Sequence, residues 1–204
     1  MFNARNSGPL YLPGVEARHQ PGPYQTLIAE AKDRGAEYSK ILDLFAFKNE
    51  FTVHLARFSH GVMRLPATIS PGLRELIAAY TSYQNECAFC TQAHAAAAAE
   101  LLQDEALVWT ALRDLENSNV SAKDKLLLRF VGKVTKNLSR VNADDIAALH
   151  AGGWDDEAIY YAITVCALFN FYNRCIDASG VHALSDEAHR QGALRSASTG
   201  YARK

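Results

Sequence analysis

NECAFCTQAHAAAA, residues 85–98, sets two cysteines three apart and a histidine four residues after the second. Read as a helix beginning near Asn85, the segment puts Cys87 in the first turn, Cys90 one turn on and His94 one turn beyond. Spacings of three and four bring the three side chains onto one face. Free N–H groups and the positive end of the dipole at a helix start favour a thiolate there. An imidazole four residues from Cys90 can exchange a proton with it, the nucleophile-plus-base pairing that thiol chemistry needs. Two thiols this close can also join in a disulfide, so an oxidised sulfur has a resolving partner. The alanines after His94 let another helix approach closely.

Three plainer readings compete. Buried cysteines beside a satisfied histidine would need no chemistry. Zinc would find three ligands here, but the sequence offers no second close Cys/His pair to complete the set. Haem attachment requires a histidine directly after the second cysteine, and residue 91 is Thr, which excludes it. Upstream, PGLRELIAAYTSYQNEC carries Glu75 twelve residues before Cys87. A turn between two helices would fold that carboxylate back onto the cysteines as a Glu–His–thiol proton relay. A Glu75 paired with Arg74 or simply solvated is the equal alternative.

Outward from this segment the pattern is helical nearly throughout. Helices are expected at about 25–34, 37–47, 50–63, 70–84, 86–102, 104–116, 121–137, 142–151 and 155–178. Ser70-Pro71 supplies a cap and a first-turn proline. Leu127, Phe130, Val131, Val134 and Leu138 form an i, i+3, i+4, i+7, i+11 stripe. Asn142 with Asp145 resembles a capping box, and Gly152-Gly153 ends that helix. The segment 155–178 is apolar on most faces (Ile159, Ile163, Val165, Leu168, Phe169), which predicts a central, buried helix. Strand-type alternation does not recur. Four of the six prolines, at 9, 13, 21 and 23, fall in the first 25 residues, so residues 1–25 are expected as an irregular arm strapped over the domain or over a neighbouring subunit. Residues 26–183 are expected as a single all-α domain, with the thiol site within 70–102, and residues 184–204 as a polar tail.

The chain has 204 residues, enough for one sizeable core. Its formal net charge of −1 predicts no electrostatic capture of nucleic acid or of an anionic membrane. No stretch approaches the ~18 consecutive apolar residues of a membrane span. The N-terminal residues lack an apolar core of signal-peptide length, so a cytoplasmic location is the expectation. Cysteines there are mostly thiols, and a Cys-x-x-Cys reads as catalytic or metal-binding before it reads as a staple.

The string RELIAAYTSYQNECAFCTQAH resembles the Glu-x11-Cys-x2-Cys-x3-His signature of alkylhydroperoxidase D, within the carboxymuconolactone decarboxylase superfamily. Downstream, SAKDKLLLRFVGKVTKN and AGGWDDEAIYYAITVCALFNFYNRCIDASGV are similar to the second helical half of the branch called peroxidase-related proteins. The N-terminal LPGVEARHQPGPYQTLIAEAKDRGAEYSKILDLFAF is similar to that branch as well. The resemblance covers roughly residues 10 to 183. It implies an all-α helical bundle of two helical halves, about nine helices, assembled as a homo-oligomer, commonly a trimer or hexamer. It implies reduction of organic hydroperoxides with no metal or organic cofactor. Cys90 would attack the peroxide, Cys87 would resolve the sulfenic acid to a disulfide, and Glu75 and His94 would relay protons. A dithiol donor, in the family a lipoylated protein, would regenerate the thiols. One departure stands out: the best-studied members carry a histidine immediately before the second cysteine, where this chain has Phe89. That departure motivates a second expectation, a non-enzymatic redox sensor or oligomeric interaction protein. A third is a decarboxylase-like proton-transfer enzyme using Glu75 and His94.

In NFYNRCID, Asn170, Asn173, Arg174 and Asp177 make a polar stripe on an otherwise apolar helix. It can line the thiol cavity or form a scaffolding network, and scaffolding is the favoured reading. Cys166 and Cys175 lie nine residues apart, about 900° of rotation, on opposite faces, and are expected as inert core thiols. His54 and His60 sit where they could approach the site. His19, His150, His182 and His189 lack a chemical context.

Overall fold

The computed structural model describes residues 8–201. Among these residues every regular element is helical: α1 (Pro13–Glu16), α2 (Pro23–Asp33), α3 (Ile41–Phe47), α4 (Asn49–Arg64), α5 (Pro71–Gln84), α6 (Ala88–Leu102), α7 (Glu105–Arg113), α8 (Ala122–Lys136), α9 (Ala143–Ala151), α10 (Asp156–Ser179) and α11 (Asp186–Thr199), with a short 3-10 turn at Leu138–Arg140. The all-α class is as expected, but the helices number eleven rather than about nine. All nine expected helices are present. The two additions are α1, inside the stretch expected to be irregular, and α11, inside the stretch expected as a tail.

Local chemistry explains most boundaries. Ser70 accepts the Leu73 N–H at 3.1 Å and Pro71 opens α5. Asn142 and Asp145 form a complete capping box at α9. Ser185 caps α11 by accepting the Ala188 N–H, followed by Asp186 and Glu187 in the first turn, where negative charge offsets the helix dipole.

The centre is the hairpin of α5 and α6, with α10 laid on α5 and α11 on α6. α5 is buried over most of its length, including Leu76, Ile77, Ala78 and Ala79. The alanine run allows close approach: Ala95, Ala97 and Ala98 are buried. At the far end of the hairpin Gly72 faces Leu102, where a Cβ would come within 2.7 Å of the leucine side chain. The stripe residues Leu127, Phe130 and Val131 of α8 join this core.

α10 is central as expected, yet not sheathed all round. Ile159, Val165, Leu168 and Phe169 are buried, whereas Ile163 is exposed, as are Tyr160 and Phe171. The N-terminal arm straps this chain's own domain. Leu10 is buried in the main core, the Tyr11 N–H donates to the Ser179 carbonyl at 2.9 Å, and the Gln20 N–H donates to the Ala46 carbonyl at 2.7 Å. Glu16 pairs with Lys40, and His19 lies 2.9 Å from the buried carboxylate of Asp43. No helix among the described residues is long and apolar enough to cross a membrane.

Candidate active site

Glu75 sits on the second turn of α5 and is fully buried. A lone carboxylate there would be costly, and three partners offset the cost. Its Oε2 lies 2.7 Å from Nδ1 of His94 on α6. Its Oε1 lies 2.6 Å from a guanidinium nitrogen of Arg64, the last residue of α4. The same oxygen accepts the Tyr201 hydroxyl at 2.5 Å. Burial alone would raise the Glu75 carboxyl, but His94, Arg64 and Tyr201 outweigh it and hold it below its ordinary value. The carboxylate is therefore ionised and can only accept. Nδ1 of His94 must carry the hydrogen, which leaves Nε2 as the basic nitrogen.

The elbow between α5 and α6 places the sulfurs. Glu86 adopts a left-handed backbone, φ 59°, and turns the chain. The Cys87 N–H donates to the Ser82 carbonyl at 3.0 Å. Cys87 is the N-cap of α6, in extended backbone, and Cys90 lies in the first helical turn. The helix thus starts at Ala88, two residues later than expected, and Cys87 stands just outside it. Both sulfurs are buried free thiols.

The expected helix-start thiolate is opposed at Cys90. The hydrogen bond to Cys87 first, then burial, then the charges of Cys87 and Asp177 push the Cys90 thiol well above its ordinary range, against a hydrogen bond from Asn173. Dipole reasoning on an isolated helix omits these neighbours.

Cys90 and His94 both lie within α6, Cys87 is its N-cap, and Glu75 contacts His94. Arg64 and Tyr201 were not anticipated. Arg64 also donates through Nε to the Ser196 carbonyl at 3.1 Å, and its guanidinium stacks 4.9 Å from the Tyr201 ring centroid. Burial and the Glu75 charge raise the Tyr201 phenol well above its usual range, so it remains a donor. His60 accepts the Tyr201 N–H at 3.3 Å, while His54 is exposed on α4.

His189 of α11 packs on Phe89, ring centroids 5.6 Å apart. Burial lowers its pKa to about 4, with His94 adding to the effect. Its Nε2 accepts the Leu184 N–H at 3.0 Å, as a neutral ring can. Of the two remaining cysteines, Cys166 is a buried core thiol, but Cys175 is exposed rather than core, because it faces a groove beside the arm. No cluster of metal-ligating side chains occurs among the described residues.

The site lies in an all-helical domain, with a paired-thiol helix start and a buried carboxylate–imidazole contact, and comparison with known proteins finds the following likenesses. Residues 49–114 match the carboxymuconolactone decarboxylase family. No curated protein matches the chain. An uncharacterized peroxidase-related protein from Silicibacter sp. TM1040 shares 25% identity over 94% of this chain and 99% of that one, with a TM-score of 0.77. The alkylhydroperoxidase AhpD core of an uncharacterized peroxidase-related protein from Ralstonia eutropha JMP134 is similar in fold, with a TM-score of 0.70 at 22% identity, over 88% of this chain and 94% of that one. The chain thus carries a segment, residues 49–114, that resembles the carboxymuconolactone decarboxylase family, and it shares its overall fold with the peroxidase-related protein of Silicibacter sp. TM1040.

Proposed function

We propose that the protein is a thiol peroxidase that reduces organic hydroperoxides. The observation that carries the reading is the His94–Glu75 contact on the helix face that bears Cys90. His94 Nε2 takes the Cys90 proton. The thiolate attacks the peroxide oxygen, the O–O bond breaks, and Cys90 becomes a sulfenic acid as the alkoxide leaves. His94 returns the proton to the alkoxide, giving the alcohol. Cys87 then displaces the sulfenic oxygen as water, forming the Cys87–Cys90 disulfide. A dithiol, such as a lipoylated protein, reduces that disulfide and is itself oxidised.

The Phe89 ring leaves the step before Cys90 without an ionisable group, so the relay rests on Glu75 and His94, with Arg64 and Tyr201 holding the carboxylate. We infer self-association from Phe51, Phe58, Tyr160 and Phe171, large apolar side chains that are all exposed; a monomeric mass by light scattering would refute it. The protein should consume cumene hydroperoxide with dihydrolipoamide as reductant. Equal turnover by the wild type and Cys90→Ser would overturn the proposal. A non-catalytic redox sensor is the second reading, favoured by the burial of both sulfurs. Disulfide formation without sustained turnover would select it.

A further inference from the structure

We propose that α11 and the Gly200–Tyr201 segment after it form a hinged lid over the candidate active site, and that the thiols meet bulky reagents only when it lifts. The inference rests on the reading of Cys90 as the reacting thiol and concerns the regulation of that same site.

The sulfurs need a route to solvent. Cys87 is 0% exposed and Cys90 3%, so the closed fold withholds both. The neighbouring surface of α6 is covered by the last part of the chain. α11 packs along α6. His189 lies on Phe89, the residue before Cys90. The Tyr201 ring stacks on His94, one turn after Cys90, with ring centroids 6.1 Å apart. Tyr201 also donates to Glu75, so one side chain covers both members of the proposed relay.

The cover is lightly seated. Of the fourteen residues of α11 only His189 and Ala193 are buried, against eleven of fourteen in α5. An element that buries little apolar surface opens at low free energy, and lids are drawn from that class. Polar contacts at its two ends hold it instead. At the start, the Ser185 hydroxyl donates to the Glu37 carboxylate at 2.6 Å. At the end, Arg64 donates through both Nε and a terminal nitrogen to the Ser196 carbonyl, at 3.1 and 3.0 Å, and the Tyr201 N–H donates to His60 at 3.3 Å. Residues 182–184, which have no regular structure, join α11 to α10 and supply the hinge.

Arg64 is the clasp. It binds the lid at Ser196 and the body at Glu75, 2.6 Å away. Glu75 keeps Arg64 and His94 when Tyr201 leaves, so the carboxylate stays paired with the lid up. Gly200 is what lets Tyr201 turn in. Its φ is 72°, and a Cβ there would stand 2.3 Å from His60 Nδ1. In the proposed cycle the bulkier partner is the dithiol carried on a protein, so lid opening governs the reducing half.

The test compares alkylation of the four cysteines by iodoacetamide and by fluorescein-5-maleimide in the full chain, with each site quantified by peptide mass spectrometry. Cys175, which is exposed, is the internal reference. Gly200→Val unseats the segment without altering Glu75, His94 or either thiol, and Tyr201→Ala removes the ring. Each should raise maleimide labelling of Cys87 and Cys90, relative to Cys175, about tenfold, the population shift expected from loss of a charge-assisted hydrogen bond. Iodoacetamide, which smaller fluctuations admit, should gain much less. Equal gains with both reagents would show altered thiol reactivity rather than a gate and would overturn the proposal, as would unchanged labelling. Amide hydrogen exchange in the wild type decides the matter where the variants do not fold. The α11 amides should exchange together and faster than those of α5, and protection of α11 equal to that of α5 would overturn the lid. Neither measurement consumes peroxide, so a protein inert to hydroperoxides would sink the peroxidase reading and still report on the lid.

Discussion

Tyr201 donates its hydroxyl hydrogen to the fully buried Glu75 carboxylate at 2.5 Å, across a sequence separation of 126 residues. The contact ties the segment after α11 to the second turn of α5. It also explains how a carboxylate stays ionised in the core. Replacing the phenol by Tyr201→Phe removes one charge-assisted hydrogen bond and should cost about 2 kcal/mol of stability. Urea denaturation of the two proteins measures the difference, and an unchanged midpoint would show that the contact contributes nothing.

Glu75→Gln should slow peroxide consumption by about two to four orders of magnitude, because His94 loses the acceptor that fixes its tautomer. It should also destabilise the fold by about 3–5 kcal/mol, since Arg64, nearly buried, loses its counter-ion. The double variant Glu75→Gln, Arg64→Met should recover much of the stability and none of the activity. Recovery of both would place Glu75 outside the chemistry.

The two thiols should fail differently. Cys90→Ser abolishes reaction with cumene hydroperoxide. Cys87→Ser reacts once and stalls as a sulfenic acid, which dimedone traps and mass spectrometry locates. Dimedone adducts on Cys87 in the wild type would reverse the assigned roles.

His189 imposes a pH dependence. Its ordinary value is 6.5 and burial in the fold lowers it to about 4. The unfolded chain binds the proton first, so folding is disfavoured as pH falls through that interval. The His189 contribution is complete above the unfolded value and shrinks as pH falls from about 6.5 toward about 4. Melting temperatures followed over this range should fall less steeply in His189→Leu than in the wild type. Parallel slopes would show that the ring is solvated in the fold.

Several of the nine expected helices carry a local signal: a side-chain cap at Ser70, Ser121, Asn142 or Asp155, or an apolar stripe such as that of α8. α11 was legible in principle, since Ser185 followed by Asp186 and Glu187 is a helix-start pattern. Its small, polar composition argues the other way, and packing against α6, with His189 and Ala193 buried, holds it as a helix. The Glu75–His94 pairing could be anticipated because it needs only one hairpin between two readable helices. Arg64 and Tyr201 could not, because no spacing rule links residues brought together from α4, α5 and the segment after α11. The Cys90 thiol was misjudged for a related reason. Its helix start is visible in sequence, whereas Asp177 and Asn173 arrive from α10.

Cys87 sits in extended backbone outside α6, and Cys90 sits inside its first turn. A disulfide between them, in the proposed chemistry, would move the residue before the helix and strain only the first α6 bond, from the Thr91 N–H to the Cys87 carbonyl. Far-ultraviolet circular dichroism should be blind to the redox state of this protein. A probe such as solvent exchange at the Cys87 amide, which the Ser82 carbonyl now shields, should register each turnover.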